Sequence, residues 1–157
     1  MLRFLKHVFT SQYLALVLRL YIGGLFIYAG MYKINYAAEF AETIASYQII
    51  PYWGVNASAV VLPWIELICG ILLVCGVRAR SAAAIIGFLM IVFTLAIMIN
   101  LMRDAPISCG CFSAVDEKIS WWTVIRDLIW LIMTIHIFFY DKIFHLEERF
   151  SLTIKEV

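Results

Sequence analysis

Four long apolar blocks constrain this sequence more than any other feature. Each block holds about 20 largely apolar residues, and a helix rising about 1.5 Å per residue needs that many to cross a hydrocarbon core of about 30 Å. Backbone amide and carbonyl groups in lipid must be hydrogen-bonded within their own segment, so each block is predicted to be a membrane-spanning helix. The predicted spans are residues 13–31, 57–77, 81–102 and 121–140.

The composition also indicates a chain that lies largely within a lipid bilayer. Of the 157 residues, 64% are hydrophobic and 15% are charged, whereas globular domains contain roughly 45 to 50% apolar residues. These values exclude a soluble globular enzyme and a disordered chain. The net charge of +1 leaves no polycationic surface for nucleic acid. We therefore predict an all-α integral membrane four-helix bundle, one domain over residues 1–157, with the lipid bilayer as its surroundings.

The basic residues predict the topology. Seven of the 12 flank the N-terminus, the link between spans two and three, and the C-terminal tail, and three fall in the other two links. The positive-inside rule then places both termini in the cytoplasm and the links 32–56 and 103–120 in the periplasm of a bacterial inner membrane. Trp53, Trp121 and Trp122 are predicted to lie at the outer interface. The first span exceeds the usual apolar length of a signal peptide and carries Arg19, so it is expected to stay in the mature protein.

The first outer link has a helical pattern of its own. Phe40, Ile44 and Tyr47 recur at steps of four and three residues, while Glu39 and Glu42 lie on other faces. This spacing predicts a short interfacial helix over residues 37–48, which Pro51 is expected to end.

The second outer link contains the sequence Cys109-Gly110-Cys111. Two extended steps of about 3.3 to 3.6 Å put the Cα atoms of the cysteines near 7 Å apart, at the edge of the roughly 4.4 to 6.8 Å that a disulfide tolerates. The oxidising periplasm permits the bond, and Gly110 makes the necessary bend cheap. Strained, exposed disulfides are typical of thiol exchange, so Cys109 and Cys111 are candidate catalytic residues.

Three other interpretations of this pair remain open. The cysteines could form a structural clip, although a three-residue ring removes little chain entropy. They could chelate a soft ion such as Cu(I), with Met98 and Met102 as further ligands, or be unrelated thiols. No metal site is predicted. Cys69 and Cys75 are six residues apart on different helical faces, so we expect them to be packing residues that do not bridge each other.

Charged residues inside the spans form a second signal. An unpaired charge at this depth costs at least roughly 2.5 to 3.5 kcal/mol, so these side chains are expected to face the bundle interior and to pair. Depth along the helices favours Arg19 as the partner of Glu66, and Arg103, Lys33 or Arg126 as the partner of Asp127. Structural bridges and a proton relay are both compatible with this pattern. Polar or small residues form one stripe on each of three spans: Arg19, Gly23, Gly30 and Lys33; Pro63, Glu66 and Gly70; Thr123, Asp127, Trp130 and Thr134.

Together these motifs resemble one membrane-protein family. The resemblance rests on the stripe from Arg19 to Ile34, on Pro63-Trp64-x-Glu66-x3-Gly70, on Cys109-Gly110-Cys111-Phe112 and on Arg126-Asp127-Leu128. This order, over about residues 14–140, is similar to the DoxX-like membrane proteins and in particular to their MauE branch. The Cys-Gly-Cys-Phe segment is the most specific part. The family commonly continues it with glycine, whereas Ser113 follows here, so the resemblance extends to the thiol pair but not to the turn of the loop after it.

The resemblance implies a function as well as a fold. DoxX-like proteins are four-helix membrane proteins that are often encoded with, or fused to, thioredoxin-like proteins. The MauE branch is implicated in periplasmic disulfide formation during maturation of methylamine dehydrogenase, and other members in quinone-linked sulfur or thiol redox. Carried over by position, the redox pair is Cys109 and Cys111, and the buried polar set is Arg19, Lys33, Glu66, Arg126 and Asp127.

The sequence therefore predicts an inner-membrane thiol-disulfide oxidoreductase. Its partner would be a periplasmic thioredoxin-like protein or a maturing enzyme client, and its candidate cofactor a membrane quinone. Lys33 or Arg103 would favour the reactive thiolate by lowering the pKa of a thiol. The alternative is a non-catalytic membrane anchor or assembly subunit for a periplasmic redox enzyme, in which the cysteine pair is structural.

Overall fold

The computed structural model describes residues 12–103 and 120–140, and every regular element in these ranges is a helix. Four of the five helices are long and apolar enough to cross a membrane, which confirms the predicted all-α architecture with four candidate spans. The helices are α1 (Gln12–Asn35), α2 (Ala37–Ser46), α3 (Tyr52–Cys75), α4 (Ala79–Met102) and α5 (Trp121–Tyr140).

The long helices are packed antiparallel in a closed ring, α1 to α3, α3 to α4, α4 to α5 and α5 to α1. Gly23 lies against Gly70 and Gly30 lies against Pro63, so α1 and α3 run in opposite directions. The α3–α4 link is short because Gly76 (φ 73°) and Arg78 (φ 46°) both adopt the left-handed conformation. One end of the bundle therefore collects the C-termini of α1 and α4 and the N-termini of α3 and α5. We call it the upper end.

Glycine brings the backbones of α1 and α3 into contact. A Cβ atom added to Gly30 would lie 2.9 Å from the carbonyl oxygen of Pro63, and one added to Gly70 would lie 2.9 Å from that of Gly23. No side chain fits at these distances, and small residues of this kind allow close helix packing in membranes. The predicted small-residue stripes on spans one and two, which are helices α1 and α3, thus lie face to face.

The short helix α2 exists where the sequence predicts a helix, and its apolar face packs on α3. Phe40 and Ile44 are buried in one cluster with Val55 and Ala59 of α3. Tyr47, just beyond the helix, is buried as well.

The bounds of the helices differ from the predicted ones at several ends. Pro51 does not end α2, because α2 already ends at Ser46 and the left-handed φ of 53° at Gln48 turns the chain. Pro51 instead immediately precedes α3, where a proline suits the start of a helix. Helix α3 consequently begins five residues earlier than predicted, and α1 extends four residues further, which places Lys33 inside a helix rather than in a loop.

Candidate functional site

A buried ion pair joins α1 to α3 near the upper end. The Nζ atom of Lys33 donates hydrogen bonds to both carboxylate oxygens of Glu66, at 2.7 Å and 2.9 Å. The two side chains are only 5% and 4% exposed. Nζ also lies 4.9 Å from the ring centroids of Phe40 and of Phe93, within the range of a cation–π interaction. The ammonium group is therefore enclosed by one carboxylate and two aromatic rings.

The predicted pairing of Arg19 with Glu66 is wrong. Gly30 contacts Pro63 and Leu67, so Glu66 lies at the level of Gly30. Arg19 is eleven residues earlier in α1, about 16 Å away along the helix axis, which is farther than an arginine side chain reaches. Lys33 is only three residues after Gly30 in α1, and its ammonium group, instead of Arg19, pairs with Glu66. Arg19 is nevertheless buried, as predicted, with 2% of its surface exposed.

Asp127 in α5 is the second buried carboxylate, 6% exposed. Its Oδ1 atom accepts hydrogen bonds from Nε and Nη2 of Arg126, both at 3.3 Å, so Arg126 is the partner among the three predicted ones. The guanidinium of Arg126 lies 4.7 Å from the ring centroid of Trp130. Arg103 is exposed at the end of α4 and pairs with neither carboxylate in the described part of the chain.

Lys33, Glu66 and Asp127 line one half-open cavity between the helices. The other lining residues are apolar and include contributions from α4, and the volume is about 40 Å³. A water molecule needs roughly 10 to 15 Å³, whereas a cavity of about 150 Å³ accommodates benzene. The cavity thus has room for a few water molecules. The lining residues are Phe26, Ala29, Lys33, Glu66, Leu89, Met90, Phe93, Asp127 and Trp130.

The candidate redox pair, Cys109 and Cys111, lies outside the described residues. Their link connects Arg103 to Ser120, both at the upper end of the bundle. Cys69 is buried and Cys75 is exposed, and both are free thiols, which confirms that they do not bridge each other.

The sequence pattern missed the contribution of α4 to this cavity. Leu89, Met90 and Phe93 line it, and Thr94 and Asn100 are buried on the same helix. Helix α4 carries no charge between Arg80 and Arg103, so no charged stripe identifies its inner face. A signal was present, since two polar residues within an otherwise apolar span indicate the face that is turned away from lipid.

Comparisons with known proteins agree on one family. The family model described as methylamine utilisation protein MauE matches residues 11–140. The methylamine utilization protein MauE of Paracoccus denitrificans is 32% identical over 114 residues, which cover 71% of this chain and 61% of the relative. That of Methylorubrum extorquens is 36% identical over 101 residues, covering 63% of this chain and 54% of the relative.

A third relative, the MauE protein of Paracoccus versutus, is 30% identical over 127 residues, covering 80% of this chain and 68% of the relative. The chain thus spans between about half and two thirds of the length of these relatives. No solved structure matches it. With its four candidate spans inside the matched region, the chain belongs to the MauE family.

Proposed function

We propose that this protein is a membrane thiol-disulfide redox protein of methylamine utilisation. In this proposal Cys109 and Cys111 exchange a disulfide with a thioredoxin-like protein or a maturing enzyme on the periplasmic side of a bacterial inner membrane. The observation that carries it is the Cys-Gly-Cys segment in the α4–α5 link of a MauE family member. The wider likeness to DoxX-like proteins is part of the proposal.

The exchange balances without any further reactant. A thiolate of the partner attacks one sulfur of the Cys109–Cys111 disulfide, and the other cysteine leaves as a thiolate. The second partner thiol then displaces the mixed disulfide. Two electrons pass from the partner dithiol to the cysteine pair, so the partner becomes a disulfide and Cys109 and Cys111 become thiols. The reverse sequence reduces a partner, and the two reduction potentials set the direction.

The surroundings of the link support a reactive pair. Arg103 is exposed immediately before the link and six residues from Cys109, and a nearby guanidinium stabilises a thiolate. Lys33 is a weaker candidate for this role than the sequence suggested, because it is buried and its charge is compensated by Glu66. Exposed Trp53, Trp121 and Trp122 lie near the starts of α3 and α5. Aromatic residues of this kind anchor a helix at the membrane interface, which would keep the link at the water boundary.

A membrane quinone is the candidate cofactor that would reoxidise the reduced pair after the exchange. No step of the proposed exchange passes through a quinone. The partner's dithiol and disulfide supply and accept the electrons.

Trapping of the mixed disulfide tests the proposal. We expect either Cys109→Ser or Cys111→Ser, expressed in a bacterium that carries the partner, to accumulate a covalent adduct with a periplasmic protein that a reductant releases. Cys75→Ser is the matched control, because Cys75 is exposed yet lies in a helix away from the link, and it should give no adduct. The proposal fails if neither variant accumulates an adduct and the wild-type pair never changes its redox state.

A further inference from the structure

One oxygen of the buried carboxylate Asp127 has no hydrogen-bond donor in the described part of the chain. Both hydrogen bonds from Arg126 go to Oδ1, and Oδ2 receives none. The residue is 6% exposed and lines the cavity. Oδ2 is not among the fully enclosed side-chain atoms that lack a partner, so a water-sized probe reaches it, and a water molecule or a proton of its own can satisfy it.

The charges around Asp127 do not supply that donor. On α1 the ammonium of Lys33 is committed to both oxygens of Glu66 on α3. Arg126 contacts Oδ1 at a long 3.3 Å, and its side chain is 24% exposed. Helix α4 contributes only apolar side chains to the cavity, and Phe40 of α2 lies against Lys33.

Water fits between these groups. The cavity volume of about 40 Å³ exceeds what one water molecule needs. A buried water also needs two to four polar partners, and Asp127 and the Lys33–Glu66 pair line the same cavity from different helices. An ion pair beside a second carboxylate, joined by water, is an arrangement that can bind and release a proton.

We propose that Asp127 and the Lys33–Glu66 pair form a proton-exchange site bridged by water across this cavity. A proton that enters binds Oδ2 of Asp127, and its release restores the carboxylate, with no electron transferred. The thiol-disulfide exchange itself needs no net proton, because the two protons that one dithiol releases are taken up by the other, so the site does not rest on the proposed function.

Labelling with dicyclohexylcarbodiimide tests the site, because this apolar reagent forms a stable adduct with protonated carboxyl groups inside membranes. The full-length protein in nanodiscs is treated across a pH series, and the adducts are located by peptide mass spectrometry. We expect the α5 peptide, whose one carboxyl group is that of Asp127, to be labelled. Labelling should fall by about tenfold or more as the pH is raised by a few units through the titration.

Variants and controls make the result specific. Asp127→Asn should abolish labelling of the α5 peptide, and Lys33→Met should increase labelling of Glu66 by removing its cation. Glu39 and Glu42 are exposed carboxyl groups on α2 and should stay unlabelled. Absence of label on Asp127 at every pH, or label that does not change with pH, would overturn the proposal.

Infrared spectroscopy supplies a readout that does not depend on a variant folding. The carbonyl band of the protonated Asp127 should shift when the wild-type protein is moved from H₂O to D₂O, because the proton exchanges with water. A band that stays unshifted would overturn the water bridge. The double variant Cys109→Ser/Cys111→Ser should keep both signals. Absence of an adduct in both single-cysteine variants, with labelling of Asp127 retained, refutes the exchange function and leaves the proton site standing.

Discussion

Replacing Lys33 by methionine should destabilise the bundle strongly. The substitution removes the ammonium that donates to both oxygens of Glu66 at 2.7 Å and 2.9 Å and leaves a carboxylate that is 4% exposed. Breaking a buried pair by removing one partner costs about 3 to 5 kcal/mol, and insertion scales give roughly 2.5 to 3.5 kcal/mol for an unpaired charge in a membrane. We therefore expect a loss of about 3 kcal/mol, at least about 100-fold in the folding equilibrium.

A double-mutant cycle measures this coupling. The wild type, Lys33→Met, Glu66→Gln and the double variant are unfolded reversibly in mixed micelles with increasing sodium dodecyl sulfate. Because the double variant buries no unpaired charge, it should regain most of the loss, with an interaction energy of about 1 to 3 kcal/mol. Glu42→Gln is the matched control, since Glu42 is exposed on α2, and it should change stability by less than about 0.5 kcal/mol. Additive single effects would refute the assignment of this pair.

Two further predictions follow from packing. Gly30→Ala should destabilise the bundle by about 1 to 3 kcal/mol in the same unfolding assay, because its Cβ would lie 2.9 Å from the carbonyl oxygen of Pro63. Gly24→Ala should be neutral or stabilising, since nothing lies within 4 Å of its Cβ, and equal losses in both variants would contradict the close α1–α3 contact. In native protein Cys75 should react with a maleimide far faster than the buried Cys69, as peptide mass spectrometry can show, and the two rates should converge on unfolding. Comparable rates in the folded protein would contradict the described packing of α3.

Much of the fold can be predicted from the sequence because few backbone structures are stable inside a lipid bilayer. The 20-residue apolar blocks and the need for internal backbone hydrogen bonds fix four helices. The start and end of α5 agree with the predicted residues, and Phe40, Ile44 and Tyr47 indicate α2 correctly. Helix ends were predicted less well, because interfacial residues such as Tyr52 and Trp53 continue a helix past the apolar block that defines the span.

The candidate site was predicted in part. The stripes identified which faces meet, since side-chain position along one helix depends only on its period. They did not fix which cation meets Glu66, because that depends on the vertical offset between α1 and α3. Gly30 and Pro63 set this offset by backbone contact, and a one-dimensional pattern contains no information on it. The aromatic enclosure of Lys33 by Phe40 and Phe93 likewise depends on the packing of α2 and α4.

We assign different functions to the described bundle and to the link that carries the cysteines. The bundle holds a compensated polar centre among apolar helices, and the link that carries Cys109 and Cys111 starts and ends at its upper end. In this account the thiol pair exchanges electrons with a partner at the membrane surface, and the Asp127 cavity exchanges protons within the bundle.

The reduction potential of the Cys109–Cys111 pair tests the central claim most directly. The full-length protein in nanodiscs is equilibrated with thiol-disulfide buffers of known potential, and the fraction of oxidised pair is determined by alkylation and mass spectrometry. The account predicts a potential above about −300 mV, in the range of labile and catalytic disulfides. A potential below about −300 mV would mark a structural disulfide, and the protein would then be a membrane anchor rather than a thiol-exchange protein.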